Sequence, residues 1–252
     1  SFTTSAIGIF IVAVGAGAAG ALNMWYEADV DKLMTRTCLR PIPRGSLQKN
    51  QALYFGTILS VLSVLTLYYF TNLLSAALLL FTILFYVFVY TIWLKRKTPQ
   101  NIVIGGASGA LPPVIGWTIA TNSISIEPLT YFFIIFLWTP SHFWALSLYK
   151  VQDYKKANIP MMPIANGIES TKKNILIYSL LMLPAVSLPY FVGFVGEVFL
   201  LATLTLTFYY NYLCYQLYSF KKNKFEIKKA QQIFGYSILY LFLIFVLFLI
   251  DK

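Results

Sequence analysis

The feature that most constrains this chain is the length of its uncharged stretches. Seven tracts contain no Lys, Arg, Asp or Glu: 1–26, 50–94, 98–126, 128–149, 174–196, 198–220 and 230–250. A helix needs about 20 apolar residues to cross the hydrocarbon core of a bilayer, so six tracts are expected to hold one span each. Tract 50–94 is long enough for two spans, with a turn near Thr71 and Asn72. We predict an all-α fold, a polytopic transmembrane helix bundle of eight spans that forms a single domain over residues 1–252.

The composition excludes a soluble protein. Charged residues make up 11% of the chain and hydrophobic residues 58%, whereas about a quarter of the residues of a soluble domain are charged. The missing polar surface is therefore expected to face lipid. A transmembrane β-barrel is also excluded, because its strands would alternate polar and apolar residues instead of running continuously apolar.

The basic residues predict the orientation in the membrane. Eighteen of the 19 Lys and Arg residues fall in loops 27–49, 95–97, 150–173 and 221–229, while the opposite turns carry Glu127, Glu197 and Asp251. Basic loops face the cytoplasm, so we expect a multi-pass protein of the bacterial plasma membrane or the mitochondrial inner membrane, with these loops on the cytoplasmic or matrix side. The net charge of +10 then reflects membrane orientation, and no nucleic-acid partner is expected.

The strongest local signal lies at the cytoplasmic end of the first span. Asn23, Glu27 and Asp31 recur every four residues, so on a helix they share one face. Carboxylate and amide oxygens suit a hard cation such as Mg²⁺, which commonly uses substrate phosphates as further ligands. This face is predicted to be a metal and diphosphate site.

Arginines follow this acidic face closely. Arg36, Arg40 and Arg44 are four residues apart and can offer paired donors to phosphate oxygens. The alternative interpretation is a solvated helix end whose acids pair only with Lys32 and Arg36.

A second candidate lies at the end of a later span. His142 is the only histidine of the chain, and an ionisable group within a span suggests a functional role. A hydrogen bond to a neighbouring helix is its structural alternative. Asp153 follows eleven residues later and would share a helical face with His142 if the helix continues. Asp153 either completes the metal site or pairs with Lys150.

Five blocks of this sequence resemble the UbiA-type intramembrane prenyltransferases, and the heme-farnesylating branch of that family in particular. The resemblance extends over essentially the whole chain. The blocks are Asn23-Met-Trp-Tyr-Glu27-x-Asp29-x-Asp31 with Met34-x-Arg36-Thr37-x-x-Arg40-Pro41, Trp93-Leu94-Lys95-Arg96-x-Thr98-Pro99, Gly105-Gly106-x-x-Gly109-Ala110-Leu111-Pro112-Pro113-x-x-Gly116-Trp117, His142-Phe143-Trp144-Ala145-Leu146, and Asp153-Tyr154-x-x-Ala157-x-Ile159-Pro160-Met161.

The resemblance implies nine spans, the first of which this chain is expected to lack, and Mg²⁺-dependent transfer of a farnesyl group from farnesyl diphosphate to a vinyl group of heme B. It implies metal-binding and catalytic roles for Asn23, Glu27, Asp31 and Asp153, diphosphate binding by Arg36, Arg40, Lys97 and Lys150, and heme binding by His142 and Trp144. The second loop carries one acid, with Asn158 in place of a second Asp.

Other function classes stay open at this point. One is a related prenyltransferase that acts on an aromatic acid in quinone biosynthesis. The others are a solute transporter and a heme-assembly factor without catalysis. Expected partners are the lipid bilayer and, for the heme-farnesylating function, heme A synthase or oxidase assembly proteins.

Overall fold

The computed structural model describes residues 2–220 and 223–251, with side chains omitted for 223–226. The described residues form twelve α-helices and one π-helix. The elements are α1 (Phe2–Tyr26), α2 (Ala28–Asp31), α3 (Lys49–Phe70), α4 (Leu73–Leu84), the π-helix (Phe85–Leu94), α5 (Asn101–Ala110), α6 (Pro112–Thr121), α7 (Ile126–Tyr149), α8 (Val151–Lys156), α9 (Met162–Ala165), α10 (Ile168–Phe191), α11 (Glu197–Ser219) and α12 (Asn223–Ile250).

The described helices provide eight segments that are long and apolar enough to cross a membrane. Six are α1, α3, α7, α10, α11 and α12, and two are composite, formed by α4 with the π-helix and by α5 with α6. The predicted all-α class and number of spans are therefore confirmed, and the protein is a multi-pass membrane protein. Large apolar side chains point outward, including Tyr69 at 82% exposure and Phe88 at 58%, as expected for surfaces that contact lipid.

The turn predicted within tract 50–94 is also confirmed. Helix α3 ends at Phe70 and α4 begins at Leu73. The side chain of Asn72 accepts a hydrogen bond from the backbone N–H of Ser75 at 2.8 Å, and its amide donates to the carbonyl of Thr118 at 2.8 Å. Asn72 therefore caps α4 and ties this turn to α6.

The chain divides into two compact units. The first unit comprises Ser1–Pro128 and Gln152–Pro160, and the second comprises Leu129–Val151 and Met161–Lys252. The expectation of a single domain stays a prediction.

In the first unit, α1 packs against α3, α4, α6 and the π-helix. Its apolar core includes Ile11, Leu22, Leu67, Leu79 and Ile115, each at most 9% exposed. The π-helix continues α4 with wider turns, and the backbone N–H of Lys95 donates to the carbonyl of Tyr90, five residues earlier, at 2.9 Å.

In the second unit, α11 packs against both α10 and α12. The side chain of Asp251, beyond the end of α12, accepts a hydrogen bond from the backbone N–H of Phe199 at 2.6 Å. This carboxylate therefore satisfies an otherwise unpaired donor in the first turn of α11.

Small residues allow α5 to approach the π-helix closely. A Cβ atom at Gly105 would lie 2.2 Å from a ring carbon of Tyr90, whereas a Cβ at Gly109 would meet no atom within 4 Å. Helix α5 ends at Ala110 and α6 begins at Pro112, so the helix breaks where the proline pair lies.

This contact generates a test of packing. We expect Gly105→Ala to destabilise the protein by about 1–3 kcal/mol, because the added methyl group displaces the Tyr90 ring. Gly109→Ala is the matched control and should be neutral or stabilising by up to about 1 kcal/mol, since alanine favours the helix. Thermal unfolding in detergent measures both variants. Equal melting temperatures for the two variants would contradict the close contact.

Candidate active site

The three polar residues of the first motif lie on one buried face at the end of α1. The helical hydrogen bonds continue past the end of α1, since the Glu27 N–H donates to the Asn23 carbonyl at 2.9 Å and the Asp31 N–H to the Glu27 carbonyl at 2.8 Å. Asn23, Glu27 and Asp31 are 5%, 1% and 3% exposed. The alternative interpretation of this segment as a solvated helix end is therefore wrong, because all three side chains are buried.

Asn23 and Glu27 contact each other directly. The amide nitrogen of Asn23 donates to Glu27 Oε2 at 2.9 Å and to the hydroxyl of Thr91, in the π-helix, at 3.1 Å. A carboxylate only accepts hydrogen bonds, so the amide carbonyl of Asn23 must point away from Glu27. Glu27 Oε1 is buried and has no hydrogen-bond partner among the described residues. One carboxylate oxygen and one amide oxygen are thus open for a ligand.

Lys95 is a site residue that the sequence analysis did not select. Its ammonium group donates to Glu27 Oε2 and lies 5.7 Å from the centre of the Tyr90 ring. The side chain of Lys95 is 17% exposed, so it contributes a nearly buried positive charge opposite a buried carboxylate. The available sequence signal was its position directly after an apolar span, in the quoted block that begins at Trp93.

The two basic residues after Lys95 have different surroundings. Arg96 donates two hydrogen bonds to Asp29, at 3.0 and 2.8 Å, on the exposed surface. These hydrogen bonds hold the pKa of Asp29 below its ordinary value and raise the pKa of Arg96. Lys97, which the sequence analysis assigned to diphosphate, is exposed and has no ion pair within the described part of the chain.

Arg40 pairs with the third residue of the face. Its Nη1 lies 2.8 and 3.1 Å from the two carboxylate oxygens of Asp31. The hydroxyl of Thr37 donates to the backbone carbonyl of Asp31 at 3.1 Å and fixes the start of the following loop. Arg36 is exposed and forms no ion pair with described residues.

Asp153 belongs to the first unit, on the short helix α8. It is 7% exposed and its Oδ2 accepts a hydrogen bond from the hydroxyl of Thr35 at 2.5 Å. The structure thus connects Asp153 to the loop that carries Arg36. Its neighbour Tyr154 is also buried, and burial raises the pKa of this phenol.

The expected continuous helix from His142 to Asp153 is not present. Helix α7 ends at Tyr149, a turn residue follows, and α8 begins at Val151. Lys150 occupies that turn, half-buried, and forms no ion pair with described residues. The shared-face argument between His142 and Asp153 is therefore wrong, and His142 belongs to the second unit.

His142 lies in an aromatic enclosure of the second unit. Its ring stacks on Trp138, with centroids 4.2 Å apart, and on Phe234, with centroids 4.5 Å apart. Its Nδ1 lies 2.7 Å from the hydroxyl of Ser237 on α12. The hydrogen bond to a neighbouring helix is thus present, and Nε2 makes no hydrogen bond within the described residues.

Trp144 is fully buried two residues further along α7. Its ring packs edge-on against Tyr178, with centroids 5.3 Å apart, and its indole N–H has no hydrogen-bond partner among the described residues. A buried indole N–H usually finds an acceptor, so this donor is available to a ligand.

A cavity in the first unit lies along the same face of α1 as Asn23. It has a volume of about 230 Å³, and its α1 lining consists of Val12, Ala16, Ala19 and Gly20. These positions precede Asn23 by eleven, seven, four and three residues, which is the spacing of one helical face. The remaining lining comes from α4, the π-helix, α5 and α6, and includes Tyr86 and Ser108. The polar face therefore borders an apolar space.

A preformed cage of three acidic, histidine or cysteine side chains is absent from the described side chains, which are those of residues 2–220 and 227–251. The donor set nevertheless fits Mg²⁺, which binds through one or two carboxylates and completes its coordination with water and phosphate oxygens. The unpaired Glu27 Oε1 and the outward carbonyl of Asn23 are donors of this kind.

The sequence has close relatives. Residues 1–249 match the UbiA prenyltransferase family. The protoheme IX farnesyltransferase of Pelagibacter ubique is 76% identical over 246 residues, which are 98% of this chain and 81% of the relative. The protein of the same name from Parvibaculum lavamentivorans is 52% identical over 244 residues, 97% of this chain and 77% of the relative.

Solved structures share the fold. Digeranylgeranylglyceryl phosphate synthase matches with a TM-score of 0.78 at 16% identity, over 98% of this chain and 85% of that chain. A UbiA homolog from Archaeoglobus fulgidus, bound to DMAPP and Mg²⁺, matches with a TM-score of 0.69 at 17% identity, over 97% and 88% of the two chains. The match over residues 1–249 and the 76% identical relative show that the chain belongs to the UbiA prenyltransferase family.

Proposed function

We propose that this protein transfers the farnesyl group of farnesyl diphosphate to a vinyl group of heme B, with addition of water, to give heme O. The use of a diphosphate substrate is supported by the buried carboxylate of Glu27. One of its oxygens has no hydrogen-bond partner among the described residues, and the other is paired with the ammonium group of Lys95. The heme half rests on the names of the close relatives and on His142 and Trp144 in the second unit. The same names favour heme over an aromatic acid as acceptor.

Asn23, Glu27, Asp31 and Asp153 would hold Mg²⁺. When bound, the ion supplies positive charge that weakens the bond between the farnesyl carbon and the diphosphate oxygen. In the absence of ligand, Lys95 and Arg40 neutralise the Glu27 and Asp31 carboxylates. With both carboxylates engaged by the ion, Lys95 and Arg40 would be free to bind the diphosphate.

The basic residues then stabilise the leaving group. Breakage of the carbon–oxygen bond leaves its electron pair on the diphosphate and a positive charge on the allylic farnesyl carbon. Arg36 and Lys97 are exposed and form no ion pair with described residues, and we assign them to the diphosphate with Arg40 and Lys95. The diphosphate assignment of Lys150, which belongs to the second unit, stays a prediction. Positive groups already in place where negative charge develops lower the barrier.

The cavity along α1 is proposed to hold the isoprenoid. A diphosphate held by Asn23 and Glu27 directs its allylic chain along the same helical face, past Gly20 towards Ala16. The apolar lining stabilises the chain by burial. It also keeps water away from the cationic carbon until the acceptor reacts.

The acceptor chemistry balances as follows. The π electrons of the heme vinyl group attack the farnesyl cation and form one carbon–carbon bond. The positive charge moves to the vinyl carbon next to the porphyrin, where water adds and loses a proton. The product carries a hydroxyethylfarnesyl chain, and diphosphate is released.

We also propose that the basic loops face the cytoplasm of a bacterial cell, or the matrix of a mitochondrion. The charge asymmetry of the loops supports this orientation. The diphosphate group of farnesyl diphosphate would then enter the site from that side. Its farnesyl chain and the heme would enter from the membrane.

The acidic face can be tested against a neighbouring acid. We expect Glu27→Gln and Asp31→Asn each to lower kcat at least about 100-fold, because each removes a carboxylate that would hold Mg²⁺ on the diphosphate. Asp29→Asn is the matched control, since Asp29 is exposed and contacts Arg96 outside this face. Turnover at saturating Mg²⁺ is the measurement. Equal losses in all three variants would refute the assignment.

The isoprenoid cavity can be tested with two glycines of α1. A Cβ atom at Gly20 or Gly17 would meet no atom within 4 Å, and of these two glycines Gly20 lines the cavity. Gly20→Leu should raise KM for farnesyl diphosphate about tenfold, which corresponds to displacing about two methylene groups from an apolar site. Geranyl diphosphate should be affected similarly, because its shorter chain also passes Gly20, and Gly17→Leu should change neither KM. An unchanged KM for farnesyl diphosphate in Gly20→Leu would place the chain elsewhere.

The overall reaction has a direct test. Purified protein supplied with heme B, farnesyl diphosphate and Mg²⁺ in ¹⁸O-labelled water should yield heme O whose hydroxyl carries ¹⁸O, read by mass spectrometry. Unlabelled heme O would exclude capture of the cation by water. Transfer of farnesyl to an aromatic acid, with heme unreacted, would exclude the proposed acceptor.

A further inference from the structure

The hydrogen bonds around His142 indicate which of its ring nitrogens carries the proton. The hydroxyl of Ser237 lies 2.7 Å from His142 Nδ1 and 2.7 Å from the backbone carbonyl of Phe234. At 2.7 Å two oxygens repel each other unless a hydrogen lies between them, and a carbonyl cannot supply it. The single hydroxyl hydrogen of Ser237 therefore points to Phe234.

The tautomer of His142 follows from this geometry. Because the Ser237 hydrogen is already used, its oxygen can only accept from the imidazole, and Nδ1 must carry the proton. No carboxylate contacts His142 within the described residues, so no negative charge is present to stabilise a doubly protonated, positively charged ring. The neutral ring then presents an unprotonated Nε2 with a free lone pair.

The enclosure also fixes the ring plane. Trp138 and Phe234 stack on the imidazole with interplanar angles of 19° and 23°. The indole N–H of Trp138 donates to the backbone carbonyl of Ser237 at 2.9 Å, so the serine that sets the tautomer is held by α7 as well as α12. The ring can neither tilt nor exchange its nitrogens without breaking these contacts.

We infer that Ser237 is a positioning residue that makes His142 an axial ligand of the heme iron through Nε2. This inference rests on the proposed function. A neutral Nε2 lone pair suits iron, whereas contact with a heme propionate requires an N–H donor, and the only one on this ring is bound to Ser237. A hydrogen bond at the distal nitrogen of a ligating histidine orients the ring and increases its basicity.

The test uses full-length protein in detergent with heme B, without farnesyl diphosphate. Resonance Raman spectra of the ferrous form report the iron–histidine stretch. Ser237→Ala should lower this frequency and weaken heme binding about tenfold, because the Nδ1 proton loses its acceptor. Ser237→Thr keeps the hydroxyl and should restore both values. Ser187→Ala is the matched control, since the Ser187 hydroxyl donates only to the carbonyl of Leu183 in its own helix.

Two results would overturn the inference in distinguishable ways. If His142→Ala changes the heme spectrum while Ser237→Ala leaves it identical to wild type, the role of Ser237 is wrong and the heme site stands. If His142→Ala leaves the spectrum unchanged, the heme assignment of His142 fails and the role of Ser237 fails with it. Should Ser237→Ala not fold, Ser237→Cys replaces the hydroxyl by a weaker acceptor of similar size, and an unshifted stretch there overturns the inference equally.

Discussion

The burial of the Glu27 carboxylate is the constraint on which the rest of the first unit depends. A charge that is 1% exposed in a membrane protein is unfavourable unless it is paired and hydrogen-bonded. Asn23 supplies a hydrogen bond from one turn earlier, and Lys95 supplies the opposite charge from the end of the next composite span. The length of that span and the position of Thr91 within it are thereby tied to α1.

The spans, their turn and the helical spacing of the first motif could be predicted because each depends on local periodicity. Tract 50–94 exceeds one bilayer crossing and contains Asn72, a good capping residue, so the division was readable. Contacts between residues that are far apart in the sequence could not be predicted. Lys95 was passed over for Lys97, because nothing in a run of three basic residues shows which one faces inward.

The second site shows the same limit. His142 was noticeable as the only histidine, but its role depends on Ser237, which lies 95 residues later and resembles any other helical serine. The relation between His142 and Asp153 failed because one turn residue interrupts the helix at Lys150. A spacing argument holds only while the helix is continuous, and no local signal near Lys150 marked the interruption.

The π-helix has a consequence for how this protein can change during evolution. Leu79 and Ile83 of α4 and Val87 and Thr91 of the π-helix are buried and recur every four residues, a wider interval than the 3.6 residues of an α-helical turn. Loss of one residue from Phe85–Leu94 would rotate everything beyond it by roughly a quarter of a turn, carrying Lys95 away from Glu27. Substitutions in this segment leave the position of Lys95 unchanged, whereas insertions and deletions move it. The number of residues in the segment is therefore constrained. An alignment gap here would mark a relative whose buried carboxylate is neutralised by other means.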